Sequence, residues 1–137
     1  MKTLLLSLAL AVTASIAHAT EVSVVTSGLT QGQGHLLVSL CPEANFLKPG
    51  CSHVSRIAAT TATLTVTFPD VAPGRYAASV VQDLNDNGRL DFEPTGAPSE
   101  PWGMSRDPQP SLGPPQFDQA AVAVTGEKQV IEVHLQH

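Results

Sequence analysis

"TLTVTF", Thr63–Phe68, decides the fold. Leu64, Val66 and Phe68 fall on one side of an extended chain and Thr63, Thr65 and Thr67 on the other, a period of two that only a half-buried β-strand uses. The same alternation appears outward in both directions. "EVSVVTS" sets Val22 and Val24 against Glu21 and Ser23, and "HLLVSL" (His35–Leu40) follows the glycine-rich turn "TQGQG". "RYAASVVQ" (Arg75–Gln82) is introduced by the turn "APG". Near the end, "AAVAVT" and "QVIEVHL" flank "GEK" and predict a hairpin. "SRIAATTATL" is the nearest approach to a helix, and its β-branched threonines argue against one. The expectation is an all-β chain: a single antiparallel β-sandwich of about six or seven short strands, without the crossover helices a parallel sheet requires.

The first residues stand apart. Lys2 precedes the apolar run "LLLSLALAVTASIA", and "AHA" (Ala17–Ala19) is a small-x-small cleavage site. Met1–Ala19 therefore reads as a signal peptide, too short to span a bilayer, and Thr20–His137 as one exported domain, periplasmic or secreted. Formal charge is −5 with 4% aromatic residues, which disfavours nucleic acid and anionic membrane surfaces as partners. Hydrophobic residues make up 42%, enough to build a core. In an oxidising compartment Cys41 and Cys51, bracketing "PEANFLKPG", are expected to be bridged. The histidines lack the spacing of a metal cluster.

Strand periodicity stops at Asp83 and does not return until about Gln116. An idle connection of that length is unusual in a compact domain, so function is sought there. "DLNDNGRLD", Asp83–Asp91, places oxygen-bearing side chains at Asp83, Asn85, Asn87 and Asp91, with the Arg89 carbonyl between the last two. Gly88 permits the sharp reversal that lets alternate oxygens meet, as in a calcium loop. The twelfth position is Pro94 rather than a bidentate glutamate, so this is no EF-hand; Glu93 or Glu100 is left to complete the shell. The cofactor expected is Ca²⁺, bound at roughly 10⁻⁴–10⁻³ M, since few full charges contribute. The competing reading is a metal-free turn, because Asn and Asp bond their own backbone and "NG" is a favoured tight turn.

Trp102, in "SEPWGMS", either plugs the loop onto the core or offers a stacking face to a glycan or protein partner. Asp83, Asp91, Glu93 and Glu100 could in principle supply a glycosidase-type pair, Asp91 with Glu100 foremost. Spacing alone does not set two acids across a bond, and no serine sits in a nucleophile elbow, so the chain reads as non-enzymatic. Two functions follow: an exported sandwich whose Ca²⁺-organised loop is an interaction surface, or a carbohydrate- or peptide-binding module using Trp102 and the acidic loop without metal.

The segment "PGRYAASVVQDLNDNGRLDFEPTGAPSEPWGMS", Pro73–Ser105, resembles domain-of-unknown-function family 2141, small secreted bacterial proteins. The matching residues are Pro73, Gly74, Tyr76, Asp83, Asn85, Asn87, Gly88, Leu90, Asp91, Gly96, Pro98, Glu100, Trp102, Gly103 and Ser105. The insertion "DPQPSLGPPQ" and the cysteine pair depart from its pattern. The resemblance implies a secreted all-β domain and no established activity. "VAPGRY" is also similar to the turn of carboxypeptidase-regulatory and transthyretin-like sandwiches, a likeness of immunoglobulin-like architecture that leaves function open.

Overall fold

The computed structural model describes residues 18–109 and 112–137. Of the expected leader, Met1–Ala19, all but His18 and Ala19 lies outside those residues. Eight strands follow in chain order: β1 (Thr20–Ser27), β2 (His35–Cys41), β3 (His53–Ala58), β4 (Thr63–Val71), β5 (Gly74–Asp83), β6 (Trp102–Met104), β7 (Val122–Val124) and β8 (Lys128–His134). Among the described residues, helix is confined to a 3-10 turn at Glu43–Asn45 and the single turn α1, Phe117–Ala120. Among the described residues no helix is long and apolar enough to cross a membrane.

The chain is all-β, as its alternation predicts, and the strands form two sheets. One has the order β4-β1-β8; the other has β3-β2-β5-β6, with β7 also paired to β5. One core serves both: Val22 and Val24 of β1, Val66 and Phe68 of β4, and Ile131 and Val133 of β8 pack with Leu36, Val38 and Leu40 of β2 and Val80 of β5. The inward set of "TLTVTF" is the one its period assigned. Full burial of such aliphatic side chains contributes roughly 1.5–3 kcal/mol each. Cys41 and Cys51 are paired, Cα–Cα 5.4 Å, across the loop that joins β2 to β3. Closing a loop of this size stabilises the fold by roughly 2–3 kcal/mol on the chain-entropy estimate.

Three expectations need correction. The strand count is eight rather than six or seven, because β3 and the three-residue β6 were not legible. The arrangement is not wholly antiparallel, since β1 and β8 run parallel, Glu21 opposite Lys128 through Ser27 opposite His134. The "GEK" hairpin is not made: β7 pairs with β5 in one sheet and β8 with β1 in the other. The cause is local. Glu21 N donates to Glu127 O (2.8 Å) and Thr20 Oγ1 to Gly126 O (2.6 Å), so the start of β1 takes the carbonyls of the turn and leads β8 away alongside itself. The Gln129 side chain bridges the corner, accepting from Thr125 N and donating to Ala123 O.

Candidate functional site

The acidic bend starts on a fixed residue. Asp83 ends β5, lies opposite His35 of β2 and is 0% exposed. Its neighbour Gln82, also fully buried, bonds three backbone groups of the β1–β2 turn: Thr30 N, Thr30 O and Gln33 O, at 2.7–2.8 Å. From that anchor the chain wraps around the Asp83 carboxylate, whose Oδ1 accepts Asn87 N (3.1 Å) and Oδ2 accepts Gly88 N (2.7 Å). Asp86 and Gly88 hold left-handed φ values of 61° and 82°, the turn chemistry the Asx-rich sequence implied.

Asn85, Asn87 and Asp91 meet. The two amide nitrogens donate to Asp91 Oδ2 at 2.7 and 2.6 Å, and Arg89 Nε approaches Asp91 Oδ1 at 3.3 Å. The Asn85 amide above all holds the Asp91 carboxyl below the usual carboxylate range; desolvation opposes it, and Asn87 and Arg89 add to the lowering. Glu100 closes the bend from its far leg, Oε1 accepting Leu84 N (2.8 Å) and Oε2 accepting Asp91 N (3.1 Å). Glu93 is not brought in. It belongs to a second turn, Glu93 N to Ala97 O and Gly96 N to Glu93 O, and its side chain is exposed. The Arg89 N–H donates to Asn87 Oδ1.

These contacts bear on metal chemistry. No group of three His, Cys, Asp or Glu side chains placed to hold a metal ion exists among the described residues. Two of the five side chains at the bend are amides, and both turn nitrogen toward Asp91 Oδ2. A cation centred there requires Asn85 and Asn87 to rotate so that their oxygens face inward. Asp83 and Glu100 keep unused lone pairs, since each carboxylate has about four acceptor sites and each accepts two N–H groups.

Beside the bend lies a feature the sequence did not announce. The outer face of the five-stranded sheet carries cross-strand rows: Arg56, Leu37, Val81 and Trp102 side by side on β3, β2, β5 and β6, and next to them Val54, Ser39, Ser79 and Met104. Loop residues including Leu90, Phe92 and Leu112 rise over these rows and enclose a groove of about 1080 Å³. Four of the six large hydrophobic residues that stand exposed, Leu47, Val54, Phe92 and Leu112, line it, so the apolar surface is concentrated rather than scattered. Trp102 is half-buried. One part packs against a second, smaller buried cluster, Ala77, Met104, Phe117, Ala120 and Ala121, and the remainder lines the groove.

Ser105 was not singled out as chemistry, and it acts as a clamp. Fully buried, its Oγ accepts Ala78 N (3.0 Å) and donates to Ala120 O, tying α1 to β5. At the mouth of the bend His35 Nδ1 and Arg56 Nη2 both reach Asp86 Oδ1, the latter at 3.2 Å. Pairings of this kind join elements distant in the chain, and no spacing signal reveals them.

No curated protein and no solved structure matches the chain. A family model does match, over residues 24–132, and it spans the β-sheets, the acidic bend and the Trp102 segment together. The chain thus belongs to the family described as "Uncharacterized protein conserved in bacteria (DUF2141)".

Proposed function

We propose that the protein is an exported, non-enzymatic binding module that takes a ligand in the groove above its five-stranded sheet. The acidic bend forms one wall, and Ca²⁺ stiffens it. The observation that carries this reading is the groove itself: a volume of about 1080 Å³, comparable to small-molecule sites of roughly 300–1,000 Å³, with apolar walls and few polar groups. Export rests on the leader-like Met1–Ala19 and the cysteine pair, which suits a periplasmic or secreted setting. The shared core of the two sheets supports a sandwich of the immunoglobulin-like or transthyretin-like kind. Against a hydrolase, Glu100 is taken up by backbone N–H groups and Asp91 by amides, and neither lines the groove.

The apolar dye N-phenylnaphthylamine tests the groove. It is expected to bind with enhanced emission, and Val81→Trp, which fills the floor, is expected to abolish that signal while the fold persists. A dye that ignores the protein, or binds Val81→Trp equally, removes the groove reading.

Calcium is tested separately. The unused acceptor sites of Asp83 and Glu100, joined by the oxygens of Asn85 and Asn87 once those amides rotate, support a cation at the bend. At ten times Kd, binding stabilises the native state by about 1.4 kcal/mol, which is several degrees in Tm. The rise should appear in millimolar Ca²⁺ relative to chelator and vanish in Asp91→Asn. Identical melts in calcium and chelator would leave the bend as a hydrogen-bonded turn.

A further inference from the structure

The groove's lining restricts what can fill it. Its polar side chains are few: Ser39, Ser79 and Thr95, with Arg56 as the only charged residue along it among the described residues. The floor is a sheet face, and the backbone groups of its inner strands β2 and β5 are already used in ladders with their neighbours. Of the three glycines at the wall, the N–H groups of Gly88 and Gly96 are also taken, by Asp83 and by the Glu93 carbonyl.

A peptide laid here would bury amides without partners, at roughly 1–3 kcal/mol for each unsatisfied group. A glycan would meet the same shortage, because no Asn, Gln, Asp, Glu or His side chain lines the groove. An aliphatic chain carries no such penalty, and each methylene it buries gains about 0.8 kcal/mol. The row of Arg56, Leu37, Val81 and Trp102 crosses four strands, so it offers a cation at one end and an unbroken apolar track of about 10 Å, Leu37 to Trp102, toward the other.

Arg56 is equipped for a head group. Only its Nη2 reaches Asp86, and among the described residues Nε and Nη1 have no partner. Both guanidinium forks use Nη2, so the free Nε–H and Nη1–H groups each offer a single charge-assisted bond to an anionic head.

Resting on the binding reading above, we propose that the groove's ligand is a single-tailed amphiphile with one anionic head, a long-chain carboxylate. Its head sits on the Arg56 guanidinium, and its tail runs over Leu37 and Val81 to Trp102.

Competition against bound N-phenylnaphthylamine tests this, using palmitate below its micelle concentration and hexadecanol as the uncharged counterpart. Palmitate is expected to displace the dye at a concentration about tenfold lower than hexadecanol, the effect of one charge-assisted pair at a half-exposed site, and to shift Trp102 emission. In Arg56→Met, melting within about 2 °C of the parent, the difference between the two competitors should disappear. If the dye binds but palmitate and hexadecanol compete equally, or Arg56→Met leaves their ratio unchanged, the head-group assignment is overturned while the groove still binds. If an aliphatic peptide displaces the dye and palmitate does not, the amphiphile is the wrong occupant. If the dye itself fails to bind, the inference falls together with the reading it rests on.

Discussion

Gly34→Ala is expected to destabilise the domain by about 4 kcal/mol or more and to dislodge the acidic bend. Gly34 sits at φ +61°, and a Cβ there would lie 1.9 Å from the Asp83 carbonyl oxygen, 2.8 Å from its carbon and 2.9 Å from Leu84 Cα. Every obstacle is backbone, so no side chain can swing aside. Nor can that backbone shift freely. Asp83 is locked by its pairing with His35 and by the two N–H groups on its carboxylate, and Gln82 is bonded to the turn that carries Gly34. Gly32→Ala is the control. It has a similar φ of +77° with nothing within 4 Å, so it isolates the left-handed strain, about 1–2 kcal/mol. Urea midpoints of the two variants should therefore differ by several kcal/mol. Equal losses would mean that Gly34 does not abut Asp83.

Asp83→Ala is the second large effect, about 3 kcal/mol. The carboxylate is fully buried and is the one group around which the bend closes. Removing it leaves Asn87 N without its Asp83 partner and Gly88 N without any, and hydrogen bonds to a charged group contribute roughly 1.5–3 kcal/mol. Asn87 N retains a weaker acceptor in Asn85 Oδ1, at 3.2 Å, which limits the loss. Asp83→Asn should fall between, because one oxygen remains to accept. Amide hydrogen exchange gives the local readout: Gly88 N–H should lose protection in Asp83→Ala, and the Val22 and Val24 amides of β1 should keep theirs relative to global stability. A Gly88 amide that exchanges equally fast in parent and variant would show that Asp83 does not organise the bend.

Much of this was legible because some strands bury one face only. Thr63–Phe68 and Val22–Val24 alternate cleanly, with a solvated row opposite the core row. β3 escaped for the opposite reason. Its outward residues include Val54, which lines the groove, while its inward side carries His53 and Ser55, so polarity does not track orientation. β6 is three residues long and contains Gly103, where a Cβ would approach the His134 carbonyl oxygen to 2.5 Å; close approach, rather than period, selects that residue. Alternation identified β7 and β8 as strands, but it carries no information on partners, and the carbonyls of the turn between them were claimed by β1.

The site divides in the same way. Asp83, Asn85, Asn87 and Asp91 were readable because their convergence is local, set by spacing around Gly88. Glu100 was left level with Glu93, and the fold chooses Glu100 because the intervening turn carries Glu93 outward. The groove could not be read at all. Each of its rows takes one residue from each of four strands, a relation that exists only once registers are fixed.

The parallel union of β1 with β8 has a consequence for how the molecule comes into being. β1 is the middle strand of its sheet, yet one of its two flanks is supplied from the other end of the polypeptide. A chain made amino terminus first must hold that flank bare until Lys128–His134 has been synthesised. Acquisition of the native state is then a late, cooperative event dominated by distant pairings, of the slow kind such topologies impose. A product cut short before Lys128 would present a naked valine-rich border, the sort of template on which neighbouring copies stack into aggregates.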